Sequence, residues 1–205
     1  MARTREDEFG GSPLPPLLCN ESELEVIEVR NGFDLAEYVT DLARQWNGRY
    51  QFTPEIVREC NRIAIRGIYA CAGDYRDRFV MAGDFVPAHH SKIACLVGEM
   101  CDYVNSITDD LFHASAYLLW RTNWIHPFFD GNGRVSRELS YLAILVGLGE
   151  PDLSGEFPIP VLICKDSDRY FSGLRAADIA RHVEPPDVRQ LESMLADLLI
   201  EQLDF

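Results

Sequence analysis

The sequence has no Cys-x-x-Cys pair and no cysteine–histidine cluster at zinc-ligand spacing. It therefore encodes neither a dithiol redox motif nor a zinc module. Its six cysteines stand apart at 19, 60, 71, 95, 101 and 164, and all but Cys19 have apolar surroundings. That is the setting of buried reduced thiols in a reducing compartment. Long apolar runs are also missing. The longest, Leu142 to Leu148, is far short of the roughly 20 residues that span a bilayer. Met1 to Phe9 is dense in charges of both signs and has no apolar core of a secretory leader. Basic residues are few, 19 against 33 acidic ones, for a net charge of −14. Such a surface repels nucleic acid and anionic membranes, so neither is expected as a partner. A nucleotide can bind only where a few arginines gather. A cytoplasmic protein is expected.

What is present suits one domain of ordinary size. The chain has 205 residues, 47% hydrophobic and 25% charged, enough to bury a sizeable core. Residues 1–30 read as a partly disordered tail, because Gly10, Gly11, Pro13, Pro15 and Pro16 break any helix. Helical periodicity starts near Gly32 and runs through Phe33 to Trp46. Thr53-Pro54-Glu55 is a helix start, with a hydroxyl cap and proline in the first turn. Ser91 to Val104 is a further helix. Asp109-Asp110 opens one through Trp124 that is apolar nearly all round, hence central. Others follow at Gly133 to Leu148, Asp168 to Ala180 and Val188 to Leu203. The exception is Arg78 to Val86, two β-prone runs around Ala82-Gly83-Asp84, which read as a small hairpin. The expected fold is all-α with one β-hairpin.

One segment carries chemistry: His126-Pro127-Phe128-Phe129-Asp130-Gly131-Asn132-Gly133-Arg134-Val135-Ser136-Arg137. Pro127 ends the preceding helix at His126. Gly131 and Gly133 let the backbone take positive φ and approach a ligand closely. A loop of successive N–H groups leading into a helix N-terminus is an anion site. Arg134 and Arg137, three apart, share one helical face there. Asp130 offers a carboxylate for Mg²⁺ beside phosphates, and His126 offers a base. Singly, these residues read as a helix-end histidine, a plain turn and solvated or Glu138-paired arginines. Jointly they are parts for transfer from a nucleotide. His89-His90 reads as solvated loop, His113 as a core histidine and His182 as surface.

The segment resembles the signature of the Fic family, His-x-Phe-x-(Asp or Glu)-Gly-Asn-Gly-Arg-x-x-Arg, with every fixed position filled. Gly73-Asp74-Tyr75-Arg76 stands where the family has a Gly-x-x-Arg element before a substrate-positioning flap, and Arg169-Tyr170 and Leu174 resemble its later helix. The resemblance implies a Fic-type helical bundle over 31–184, followed by an amphipathic helix over 185–205. It implies a protein adenylyltransferase that moves AMP from ATP to a Ser, Thr or Tyr hydroxyl of a target protein. On that reading His126 is the general base and Asp130 holds Mg²⁺. The backbone of Gly131, Asn132 and Gly133 receives phosphates, with a hydrogen bond from the Asn132 side chain. Arg134 neutralises the leaving pyrophosphate and Arg137 orients the γ-phosphate. The flap, with Phe79, Val80 and Met81, pairs with the target; ordinary core packing is the alternative for Phe79 and Val80, as it is for Tyr170 beside the adenine. Doc-type phosphotransferase, phosphocholine transfer and a silent binding module are the alternative functions. Many relatives are restrained by a helix bearing (Ser or Thr)-x-x-x-Glu-(Gly or Asn), whose glutamate pairs with the second arginine of the signature. Neither Thr4 to Glu8 nor Ser193 to Asp197 completes that pattern. Any restraint is expected from a separate antitoxin-like partner, as in toxin systems.

Overall fold

A computed structural model describes residues 15–46, 48–82, 85–182 and 186–204. Among them are α1 (Glu21–Trp46), α2 (Pro54–Ile65), α3 (Ile93–Ser106), α4 (Leu111–Ile125), α5 (Asn132–Leu148), α6 (Ile159–Lys165), α7 (Ser167–Ile179) and α8 (Arg189–Leu203). A single 3₁₀ turn, His90–Lys92, leads into α3.

The caps follow the sequence. Thr53 Oγ1 accepts the Ile56 N–H at the start of α2, and Asp110 Oδ1 accepts the His113 N–H at the start of α4. Gly149 ends α5 in the left-handed region. α1 begins at Glu21, inside the stretch expected to be tail. Its start is a reciprocal cap: Glu23 N–H donates to Asn20 Oδ1, and Asn20 N–H donates to Glu23 Oε2. α6 has no counterpart among the expected helices. It is one of the shortest, and Pro160 in its first turn forfeits no hydrogen bond.

α4 is central, with Ala114, Ala116, Leu118, Leu119 and Ile125 fully buried. It packs mainly on α5, where Ser115 Oγ and Ser140 Oγ meet at 2.7 Å. α1 and α2 cover α5, α3 and α8 flank α4, and α7 lies on α8. This packing sets the C-terminal end of α4 beside the N-terminal end of α5, joined by residues 126–131.

The expected hairpin is not shown by the described residues beyond one bridge. They contain no strand, only the isolated bridges Leu17↔Tyr69 and Ala82↔Phe85. Ala82 and Phe85 exchange two backbone hydrogen bonds, and Gly83-Asp84 lies outside the described residues. The rest of the segment is anchored elsewhere: Val80 is buried, and the carbonyls of Arg78 and Ala88 accept from the Arg76 side chain.

Candidate active site

α4 ends at His126, whose N–H still donates to Thr122 O at 2.9 Å. Its φ of 51° and ψ of 61° are left-handed, and it is the one non-glycine residue with positive φ among those described. A β-carbon makes that conformation costly, so surrounding contacts must impose it. The Nδ1 atom is buried without a hydrogen-bond partner. Burial first, then the Arg76 charge, push the imidazole down from 6.5 to about 4, against weaker upward pulls from the Asn123 backbone and Asp130. The ring is neutral at neutral pH, as a proton acceptor must be.

Gly131 caps α5 with φ of 80°. A β-carbon there would lie 2.9 Å from both Asn61 Nδ2 and Ile65 Cγ2, so glycine is required by conformation and by space. Gly133, expected to share that freedom, lies within helical α5; its β-carbon would sit 3.1 Å from Arg137 Nη1. The N–H groups of the first turn have no intrahelical acceptor and sit at the positive end of the helix dipole. Here they border a cavity of about 850 Å³, lined also by His126, Asp130, Arg134 and Arg137.

The polar side chains are differently committed. Asp130 Oδ1 accepts the Gly131 N–H at 2.6 Å, and Oδ2 accepts from Arg134 Nη2 at 3.2 Å. Arg134 Nη1 also donates to Ala64 O at 3.1 Å and lies 3.5 Å from Glu28 Oε1 of α1. Arg137 makes no ion pair with a carboxylate among the described residues. Asn132 is buried, and both polar atoms of its side chain bond the Phe128 backbone. The amide is thus held on the loop itself, which leaves one Nδ2 hydrogen without a protein acceptor for the expected bond to a phosphate; Asn132 also lines the cavity.

Of the flap residues, Val80 and Met81 line the cavity, while Phe79 is half-exposed outside it. Tyr170 lies in the floor, 5% exposed, with its hydroxyl accepting from Asn123 Nδ2 at 3.0 Å. His113 links Tyr103 and Glu192 away from the cavity.

Sequence reasoning missed several residues. Asn61 of α2 donates to Asp130 O at 2.8 Å and accepts the Gly73 N–H at 2.9 Å, tying the loop to the segment before Arg76. Nothing local in the sequence marks it. The cavity is also lined by the aromatic side chains of Trp120, Trp124 and Phe171 and by Arg175 and Asp178. Trp120 Nε1 donates to Asp178 Oδ1 at 2.8 Å, and burial raises the Asp178 pKa. The i, i+4 tryptophans were a readable signal, but they read equally as core.

No cluster of three or more His, Cys, Asp or Glu side chains fit for a metal occurs among the described residues. Asp130 alone still suits Mg²⁺, which takes one or two carboxylates and completes its shell with water and phosphate oxygens. No helix among the described residues is long and apolar enough to cross a membrane.

The fold resembles that of a Fic family protein from Desulfovibrio desulfuricans, with a TM-score of 0.63 at 20% identity over 91% of this chain and 54% of that one. It also resembles a Fic domain-containing signaling protein from Bacteroides thetaiotaomicron, with a TM-score of 0.65 at 21% identity over 85% of this chain and 70% of that one. In sequence, a protein adenylyltransferase Fic of Drosophila willistoni is 30% identical over 136 residues, 64% of this chain. The match spans only 24% of that relative's length. A Fido domain-containing protein of Dictyostelium discoideum is 35% identical over 118 residues, 56% of this chain and 77% of the relative. The Fic/DOC family model matches residues 51–144, which include the whole loop from His126 to Arg137, and the chain belongs to that family.

Proposed function

We propose that the protein transfers AMP from ATP to a hydroxyl side chain of a target protein. The observation that carries this reading is that His126, a buried imidazole whose pKa is lowered by burial, and the open N-terminus of α5 line one cavity.

The triphosphate lies along the first turn of α5. Its charge is met by the N–H groups of Asn132 and Gly133 and by the guanidiniums of Arg134 and Arg137. Asp130 would hold Mg²⁺, which when bound neutralises phosphate charge and polarises the α-phosphate. The base enters the aromatic end, where Trp124 and Phe171 offer faces for stacking and Asp178 accepts from an exocyclic amino group. His126 takes the proton of the target hydroxyl as that oxygen attacks the α-phosphate. The bond to the bridging oxygen of the β-phosphate breaks and pyrophosphate leaves, its charge stabilised by Arg134. The target lies along residues 78–86 as an extended segment joined by main-chain hydrogen bonds.

Titration calorimetry with ATP tests the cradle without catalysis. The wild type binds ATP, and Gly133→Glu, which places a carboxylate where the phosphates lie, does not. Equal affinity in the two proteins contradicts this placement of the nucleotide.

A further inference from the structure

Arg76 is 3% exposed and forms no ion pair with a carboxylate among the described residues. Its partners are all main-chain carbonyls. Nε donates to His126 O at 2.7 Å, Nη1 to Arg78 O at 2.9 Å, and Nη2 to Ala88 O at 2.5 Å and to Ile125 O at 3.3 Å. Its own N–H donates to Pro127 O at 2.9 Å. One residue thus binds the carbonyls of three successive residues, 125 to 127, centred on the strained His126. The same guanidinium binds both ends of the segment 78–88, which carries Val80 and Met81 at the cavity edge.

A buried cation without a carboxylate is costly, and carbonyl dipoles offset it only if they stay in place. Either set of carbonyls can move only by abandoning the charge or by moving it. Burial lowers the Arg76 pKa to about 10, which leaves it charged at neutral pH.

We propose that Arg76 is a positioning residue: it holds His126 in its left-handed conformation and couples that conformation to the segment 78–88, so that a target seated on the segment also sets the base. The catalytic part rests on the AMP-transfer reading; the mechanical coupling does not.

The test is Arg76→Lys, which keeps the charge but cannot fork to four carbonyls. Amide hydrogen exchange is read first and needs no activity. Exchange should rise about tenfold or more in 78–88 and 125–128 together, with α1 and α8 unchanged. A rise in only one segment, or an even rise over the whole chain, overturns the coupling. For transfer, kcat should fall about a hundredfold, since the base is misplaced, with ATP affinity within about threefold of wild type. Rate and ATP affinity falling in parallel would show a merely structural residue. Should Arg76→Lys fail to fold, native-state exchange of the wild type in low urea reads the same link. The two segments should open with one urea dependence, and separate opening overturns the proposal. A wild type that transfers nothing defeats the functional reading and leaves the exchange result to stand or fall alone.

Discussion

Asn132 turns its side chain back on Phe128: Oδ1 accepts the Phe128 N–H at 2.9 Å, and Nδ2 donates to the Phe128 carbonyl at 2.8 Å. Both atoms of a buried amide are used to close the loop between His126 and α5. Asn132→Ala leaves two buried backbone groups unpaired, at about 1–3 kcal/mol each. The variant should melt several degrees lower, and its loss of ATP affinity should follow the loss of order. A variant that melts like wild type but binds ATP poorly would return the side chain to the phosphates.

Glu28 reaches the first signature arginine, Arg134, and not Arg137. Both groups are partly exposed, so the pair is worth less than about 1 kcal/mol. Glu28→Gln should lower the KM for ATP by no more than about fivefold, and the gain should vanish when Arg134 is also replaced. A gain of activity of about a hundredfold or more would show that α1 restrains the site, against the expectation that restraint comes from a separate partner.

The pH dependence follows from the neutral His126. Its folded pKa, about 4, lies below its ordinary 6.5. On the proposed mechanism His126 therefore stays competent as a base well below neutrality, and kcat/KM should be flat from pH 8 to about 5.5 on its acid side. The unfolded chain binds the proton more tightly, so stability falls as pH drops from 6.5 towards 4. An acid limb centred near 6.5 would place the ring in water.

Glu138 has the opposite sign. Its Oε2 is buried without a partner, and burial raises the carboxyl from 4.5 to about 7, with Arg137 pulling weakly the other way. Ionisation in the folded state is disfavoured, so stability is lost as pH rises from 4.5 through 7. Glu138→Gln should be more stable than wild type at pH 8 by on the order of 1–2 kcal/mol, and equal to it at pH 4. A destabilised variant at pH 8 would mean that the carboxylate has a partner.

The grouping of the loop residues at one cavity was legible because they are contiguous. One turn and one helix start hold His126, Asp130, Gly131, Gly133, Arg134 and Arg137, and their spacing fixes their phase. Most helices were legible from caps and periodicity, down to Thr53 and Asp110. The Asn20–Glu23 cap was equally local, but the glycines and prolines before it hid the start of α1. What packing creates was not legible. Asn61 stands 69 residues from the loop it holds, and Asp178 meets Trp120 only because α7 crosses α4. Of the expected hairpin only the Ala82–Phe85 bridge is seen, and the Arg78 carbonyl is taken by the side chain of Arg76, a residue from outside the segment.

The most direct measurement follows label from ATP to protein. The protein is incubated with Mg²⁺, a cell lysate and ATP labelled on the α- or the γ-phosphate, beside His126→Ala under the same conditions. The account predicts protein-bound label from the α-position alone. His126→Ala should lower its rate by about 10²–10⁴-fold while ATP affinity stays near wild type. Label from the γ-position alone, or undiminished transfer by His126→Ala, would contradict it.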